Sequence, residues 1–136
     1  MKILFADTSY WVALINPHEE LHQEAIDVSK SLGNFRIITS EMVLTEVLNK
    51  FSEYGEILRK ASVELTRRLQ ADPNTKIIAQ MSKQFNEALE SYANRRDKEW
   101  SLTDCASIQI MEKENVTETL THDQHFEQAG FVALLR

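Results

Sequence analysis

The alternation of short apolar strands with amphipathic helices predicts an α/β fold, a doubly wound parallel β-sheet flanked by helices on both faces. Two features carry this expectation. Lys2-Ile3-Leu4-Phe5-Ala6 is an apolar run without polar alternation, the pattern of a parallel strand covered on both sides. Segments of the same kind recur along the chain with helix-period stretches between them.

The elements follow in order. After the first strand come a stripe of Leu21, Ala25, Val28 and Leu32 over Glu20 to Leu32, and a second strand, Phe35-Arg36-Ile37-Ile38-Thr39. Glu41 to Glu53 puts Val43, Leu44, Val47, Leu48 and Phe51 on one face. Gly55 breaks that helix, and Ile57 to Ala71 forms the return arm of a helical hairpin, stopped by Asp72-Pro73. A third strand, Lys76-Ile77-Ile78-Ala79, precedes helices from about Met81 to Arg95 and from Thr103 to Glu114. Glu118-Thr119-Leu120-Thr121 and Phe131-Val132-Ala133-Leu134-Leu135 supply the last two strands. No repeat or linker interrupts this pattern, so residues 1–136 are expected to form a single domain.

Composition narrows the class. With 136 residues, 43% of them hydrophobic, the chain can bury a real core. Three Gly and two Pro are too few for a disordered or turn-dense chain. One cysteine, Cys105, forms no internal disulfide, which suits a reducing cytoplasm. The apolar stretch Ile3 to Ala6 ends at Asp7, too short for a signal peptide or a membrane span. The net charge of -6 argues against a plain nucleic-acid-binding module, whose basic face displaces counterions. An enzyme whose carboxylates hold cations escapes that objection, because the cations supply the positive field.

Ligand sites in open parallel sheets form at the carboxyl ends of strands, near a reversal of strand order. Asp7 ends the first strand and Asp123 follows the fourth. Glu46 lies one turn into the helix after the second strand, and Asp104 opens the helix before the fourth. Each has a plain structural reading. Asp7 and Asp123 can cap helices, Ser101-Leu102-Thr103-Asp104 fits a capping box, and Glu46 can be a solvated helix residue in line with Met42 and Asn49. Asp104 resists that reading best, since it shares a helix face with Ile108 and Met111. A carboxylate among apolar neighbours needs a partner such as a metal ion, and no Arg or Lys adjoins it in sequence.

Three segments together resemble the PIN-domain nucleases, among them the VapC toxins of VapBC toxin–antitoxin pairs. They are Phe5-Ala6-Asp7-Thr8-Ser9-Tyr10-Trp11, Thr39 to Val47, and the stretch from Trp100-Ser101-Leu102-Thr103-Asp104-Cys105 to Thr121-His122-Asp123-Gln124-His125-Phe126 and Gln128-Ala129-Gly130-Phe131. The resemblance implies an acidic quartet of Asp7, Glu46, Asp104 and Asp123, with Thr8, Ser9 and Thr121 as polar residues beside it. It also implies RNA as substrate, products with a 5′-phosphate and a 3′-hydroxyl, a homodimer, and an antitoxin protein as partner of a VapC. Mg²⁺ or Mn²⁺ suits such a donor set, because both are hard cations that favour carboxylate oxygens. The reading is a metal-dependent ribonuclease in which Asp7, Asp104 and Asp123 bind metal and Glu46 binds metal or positions water. The alternative is a PIN-like module that binds RNA or protein without cutting.

Other signals point elsewhere. His18-Glu19-Glu20-Leu21-His22 matches the zinc metallopeptidase pattern, a remote alternative that requires both histidines on one helical turn. An aspartyl phosphatase would want a second Asp where Ser9 stands. Arg95, Arg96 and Lys98 precede Trp100 and could meet phosphates while the indole stacks a base. The competing expectation, which helix-dipole arguments favour, is a set of helix-terminal cations followed by a packed Trp. Cys105, Met81 and Met111 are expected to fill the core.

Overall fold

The computed structural model describes residues 1–135, and Arg136 lies outside the described residues. Among these residues five strands, β1 (Lys2–Ala6), β2 (Phe35–Ser40), β3 (Thr75–Ile78), β4 (Glu118–Leu120) and β5 (Val132–Ala133), form one parallel sheet in the order β3-β2-β1-β4-β5. The chain winds outward from β1 through β2 to β3, then returns to place β4 on the other side of β1. That reversal makes the gap between the carboxyl ends of β1 and β4 the switch point of the sheet. The register there pairs Phe5 with Thr119 and Ala6 with Leu120, and the Asp7 amide donates to the Leu120 carbonyl at 3.2 Å.

Among the described residues, seven helices connect and cover the strands: α1 (Thr8–Ile15), α2 (His22–Ser31), α3 (Glu41–Lys50), α4 (Glu56–Ala71), α5 (Ser82–Asn94), α6 (Leu102–Glu114) and α7 (Gln124–Gln128). The expected α/β class and the helical hairpin are both present. A short 3₁₀ turn, Phe51–Glu53, leads to Gly55, whose φ of 94° turns the chain sharply into α4. The core runs through the sheet: Leu4, Phe5, Ala6, Leu120, Phe51, Phe126, Met111 and Cys105 have no exposed surface. Burying a Phe or Leu side chain contributes roughly 1.5–3 kcal/mol, so this central row anchors the strand ends that carry the site.

Several boundaries differ from the sequence reading. The helix expected from Glu20 starts at His22, because residues 17–21 form turns after α1. The last strand is reduced to Val132–Ala133, although the Leu134 and Leu135 amides still bond to the Thr119 and Thr121 carbonyls. Met81 does not fill the core: it precedes α5 as its cap residue, with 64% of its surface exposed. Among the described residues no helix is long and apolar enough to cross a membrane.

Candidate active site

β1 delivers Asp7 at the sheet's switch point, where it takes the N-cap position of α1 without capping it through its side chain. The carboxylate turns instead to Thr121, whose hydroxyl donates to Asp7 Oδ2 at 2.9 Å across the β1–β4 junction. Since that proton is committed, Thr121 Oγ1 accepts from Ser9 Oγ at 3.1 Å, and Ser9 Oγ accepts from the His122 amide. Thr121 Oγ1 also accepts from the Asp123 amide at 3.1 Å. One buried hydroxyl thus sets two of the candidate acids relative to each other.

The other acids arrive on helices. Glu46 is half-buried on α3, and Thr8 Oγ1 donates to its Oε1 at 2.6 Å. Asp104 sits in the first turn of α6 with 8% exposure. The capping box is real: Ser101 Oγ accepts from the Asp104 amide, and Asp104 Oδ2 accepts from the Ser101 amide, both at 3.0 Å. The cap fixes the direction of the carboxylate and is compatible with its lining a cleft. Asp123 caps α7, accepting from the His125 amide at 2.9 Å.

Asp7, Glu46, Asp104 and Asp123 all line one cleft of about 460 Å³, with Thr8, Ser9 and Ser101. Glu19, Glu99, His125 and Lys50 line it too. Burial pushes the Asp7 carboxyl up to about 7; the Thr8 amide and Thr121 hydroxyl oppose this, and the charges of Asp104 and Glu46 add to it. The neighbouring charges of Asp104 and Glu46 add to the cost of ionising Asp7, and a bound cation would offset that part of it.

His125 is the residue that sequence reasoning left without a role. Its Nδ1 lies 2.8 Å from Asp104 Oδ2 and 3.1 Å from Asp123 Oδ1. One donor atom from each of these three residues falls within 4.8 Å of the others. The available signal was its spacing, two residues past Asp123 on a helix too short to point it anywhere else.

The basic cluster adjoins this cleft. Arg95, Arg96, Lys98, Trp100 and Tyr92 border a second depression of about 510 Å³ that shares Glu99 and Ser101 with the acidic one. Trp100 is packed, as the competing expectation held, and does not offer a ring for stacking. It is 6% exposed, its Nε1 donates to Gln128 Oε1 at 3.0 Å, and the Arg95 guanidinium lies 5.3 Å from its ring centre. Arg96 is exposed, and Lys98 is half-buried beside Asp97 at 3.5 Å.

The zinc-peptidase pattern lacks its helix. His18 and Glu19 lie in turns, α2 starts only at His22, and His22 Nδ1 bonds the Ala13 carbonyl at 2.7 Å. That reading is set aside. Cys105 is fully buried, and burial pushes its thiol up, so it stays protonated core filling, as does Met111.

A parallel sheet with an acidic cleft at its switch point is the architecture of a PIN domain, and the PIN domain model matches residues 4–132. The chain belongs to the PIN domain family. It is similar to the 23S rRNA-specific endonuclease VapC20 of Mycobacterium tuberculosis, with 27% identity over 133 residues, 96% of each chain. The crystal structure of that VapC20, described as a sarcin-ricin loop cleaving toxin, superposes with a TM-score of 0.83 at 24% identity, covering 96% of this chain and 97% of that one. VapBC2 from Rickettsia felis, bound to a DNA fragment from its promoter, shares the fold with a TM-score of 0.62 at 18% identity over 96% of each chain.

Proposed function

We propose that this protein is a divalent-metal-dependent endoribonuclease and the toxin of a toxin–antitoxin pair. The observation that carries the reading is the convergence of Asp7, Glu46, Asp104 and Asp123 on one cleft at the β1–β4 switch point. The donor chemistry fits Mg²⁺ or Mn²⁺, since four carboxylates crowded together ionise cheaply only around a cation. Asp7, Asp104 and Asp123 would hold the metal. When bound, the ion supplies an activated water and offsets the charge that develops on phosphorus.

The chain's own residues do the rest. Glu46, held by Thr8, would bind the ion or accept a proton from the attacking water. Thr121 and Ser9 keep Asp7 and Asp123 in register. Arg96 and Lys98 would bind backbone phosphates beside the cleft, with Arg95 supporting from its position on Trp100, because phosphate contacts position a strand without reading its sequence.

The similarity to VapC20 supports RNA as substrate, and the VapBC2 complex supports an antitoxin as partner. An antitoxin side chain such as Arg, bonded to these carboxylates, would replace the cation's charge. A homodimer and a cytoplasmic location belong to the same proposal. The test is the chemistry of the product ends. Hydrolysis at this site leaves a 5′-phosphate and a 3′-hydroxyl, so the products accept a 3′ ligation adaptor without phosphatase treatment. Products ending in a 2′,3′-cyclic phosphate would mean that the RNA's own hydroxyl attacked, and the proposal would fail.

A further inference from the structure

Among the described residues that line the acidic cleft, one carries an imidazole, His125, and it sits between two of the carboxylates. Its Nδ1 is 2.8 Å from Asp104 Oδ2 and 3.1 Å from Asp123 Oδ1. Adjacent ligands of an octahedral ion with bonds of ~2.1 Å are separated by roughly 3 Å, so His125 Nδ1 already stands from each of the two carboxylates at the spacing of neighbouring positions in one coordination shell. The donor atoms of all three lie within 4.8 Å of one another, so small side-chain adjustments bring them onto one ion.

The backbone holds this arrangement from both sides. Asp104 is fixed by the Ser101 capping box, and Asp123 by the His125 amide, on α6 and α7 respectively. Both bonds to Asp104 fall on Oδ2, which leaves Oδ1 without a hydrogen-bond partner among the described residues. Phe126, next in sequence to His125, has no exposed surface and pins α7 to the core. The imidazole is therefore carried into the cleft by a packed element.

We infer that His125 is a ligand of the metal site, and that the mixed Asp104–Asp123–His125 donor set favours a first-row transition ion over Mg²⁺. The inference rests on reading the acidic cleft as a metal centre and goes further by naming which kind of ion it prefers. Mg²⁺ is a hard ion that takes oxygen ligands and gives up its waters reluctantly. Imidazole suits transition ions, whose affinity for nitrogen rises along the series beginning with Mn²⁺. A purely positioning histidine, donating Nδ1–H to two carboxylates, would help every cation alike.

The experiment uses Mn²⁺ as both ligand and probe. Pulsed electron paramagnetic resonance of the Mn²⁺-loaded protein reads directly bound nitrogen through its ¹⁴N coupling, with ¹⁵N-histidine labelling as the check. Mn²⁺ and Mg²⁺ affinities of the wild type and of His125→Gln are measured alongside by calorimetry. The expected result is a histidine ¹⁴N coupling in the wild type that is lost in His125→Gln. The variant's Mn²⁺ affinity falls about tenfold or more while its Mg²⁺ affinity holds.

Mn²⁺ bound without nitrogen coupling overturns the inference, and the wild type alone decides this even if the variant does not fold. Nitrogen coupling that persists in His125→Gln overturns it as well, as does an equal loss of both metals. Any of these leaves the carboxylate site standing. Asp7→Asn and Asp104→Asn variants that bind Mn²⁺ like the wild type would instead remove the metal centre itself, and the inference with it.

Discussion

Replacing Asp7 with Asn should make the metal-free protein more stable at alkaline pH. Asp7 is 5% exposed, and burial lifts its carboxyl from 3.8 to about 7. Between those values the folded protein holds a proton that the unfolded chain has released, so stability falls as pH rises from about 4 to about 7 and levels off beyond. At ~1.4 kcal/mol for each pH unit, the accumulated penalty is about 4 kcal/mol. Asn is the neutral isostere and can keep the bond from Thr121 Oγ1 through its carbonyl oxygen. Local polarisation around the charge lowers the gain to roughly 2–4 kcal/mol, or about 6–12 °C in Tm for a chain of this length.

The assay is a set of thermal melts of both proteins in EDTA at pH 5 and pH 8. The variant should lead at pH 8, with less than about half that lead at pH 5. Millimolar Mn²⁺ should then raise the wild type and leave the variant nearly unmoved, because a ligand stabilises only the state that binds it. An Asn variant that melts below the wild type in EDTA at pH 8, or a lead that ignores pH, would refute the electrostatic reasoning.

Three further outcomes follow from the same geometry. Ser101→Ala removes half of the capping box on α6; it should cost about 1 kcal/mol in denaturant unfolding and raise the Mn²⁺ concentration needed for half-saturation. Thr121→Val leaves Asp7 without its donor and the Asp123 amide without its acceptor; it should cost about 2 kcal/mol and reduce kcat more than it raises KM in steady-state cleavage assays. The double variant Arg96→Ala with Lys98→Ala should raise KM, spare kcat, and flatten the dependence of log Kd on log salt by about 1.4, at ~0.7 for each lost contact to a single strand.

What the sequence revealed follows the range of the interactions involved. The Ser101–Asp104 cap spans three residues and is visible as a pattern, and the buried strand β1 announces itself by composition. Asp7 and Asp123 stand out as candidates because a sheet's ligand site can be located from strand ends before any contact is known. His125 escaped because its partner Asp104 is 21 residues away and meets it only after α7 docks on the core through its own Phe126. The His18–His22 pattern misled for the opposite reason. Its spacing fits a helix, but α1 ends at Ile15, and the Asn16 side chain accepts from the His18 amide in the turn that follows. Trp100 was settled by packing against Arg95 and Gln128, which local sequence leaves undetermined.

The central claim is metal-dependent cleavage of RNA by the acidic cleft. Its most direct test is incubation of a labelled single-stranded RNA, and of 23S rRNA alongside it, with wild type and Asp104→Asn, each in Mn²⁺, Mg²⁺ or EDTA. The account predicts cutting by the wild type with metal, none in EDTA, and a loss of at least a hundredfold in Asp104→Asn. Equal cutting by both proteins, or cutting that survives EDTA, would contradict it.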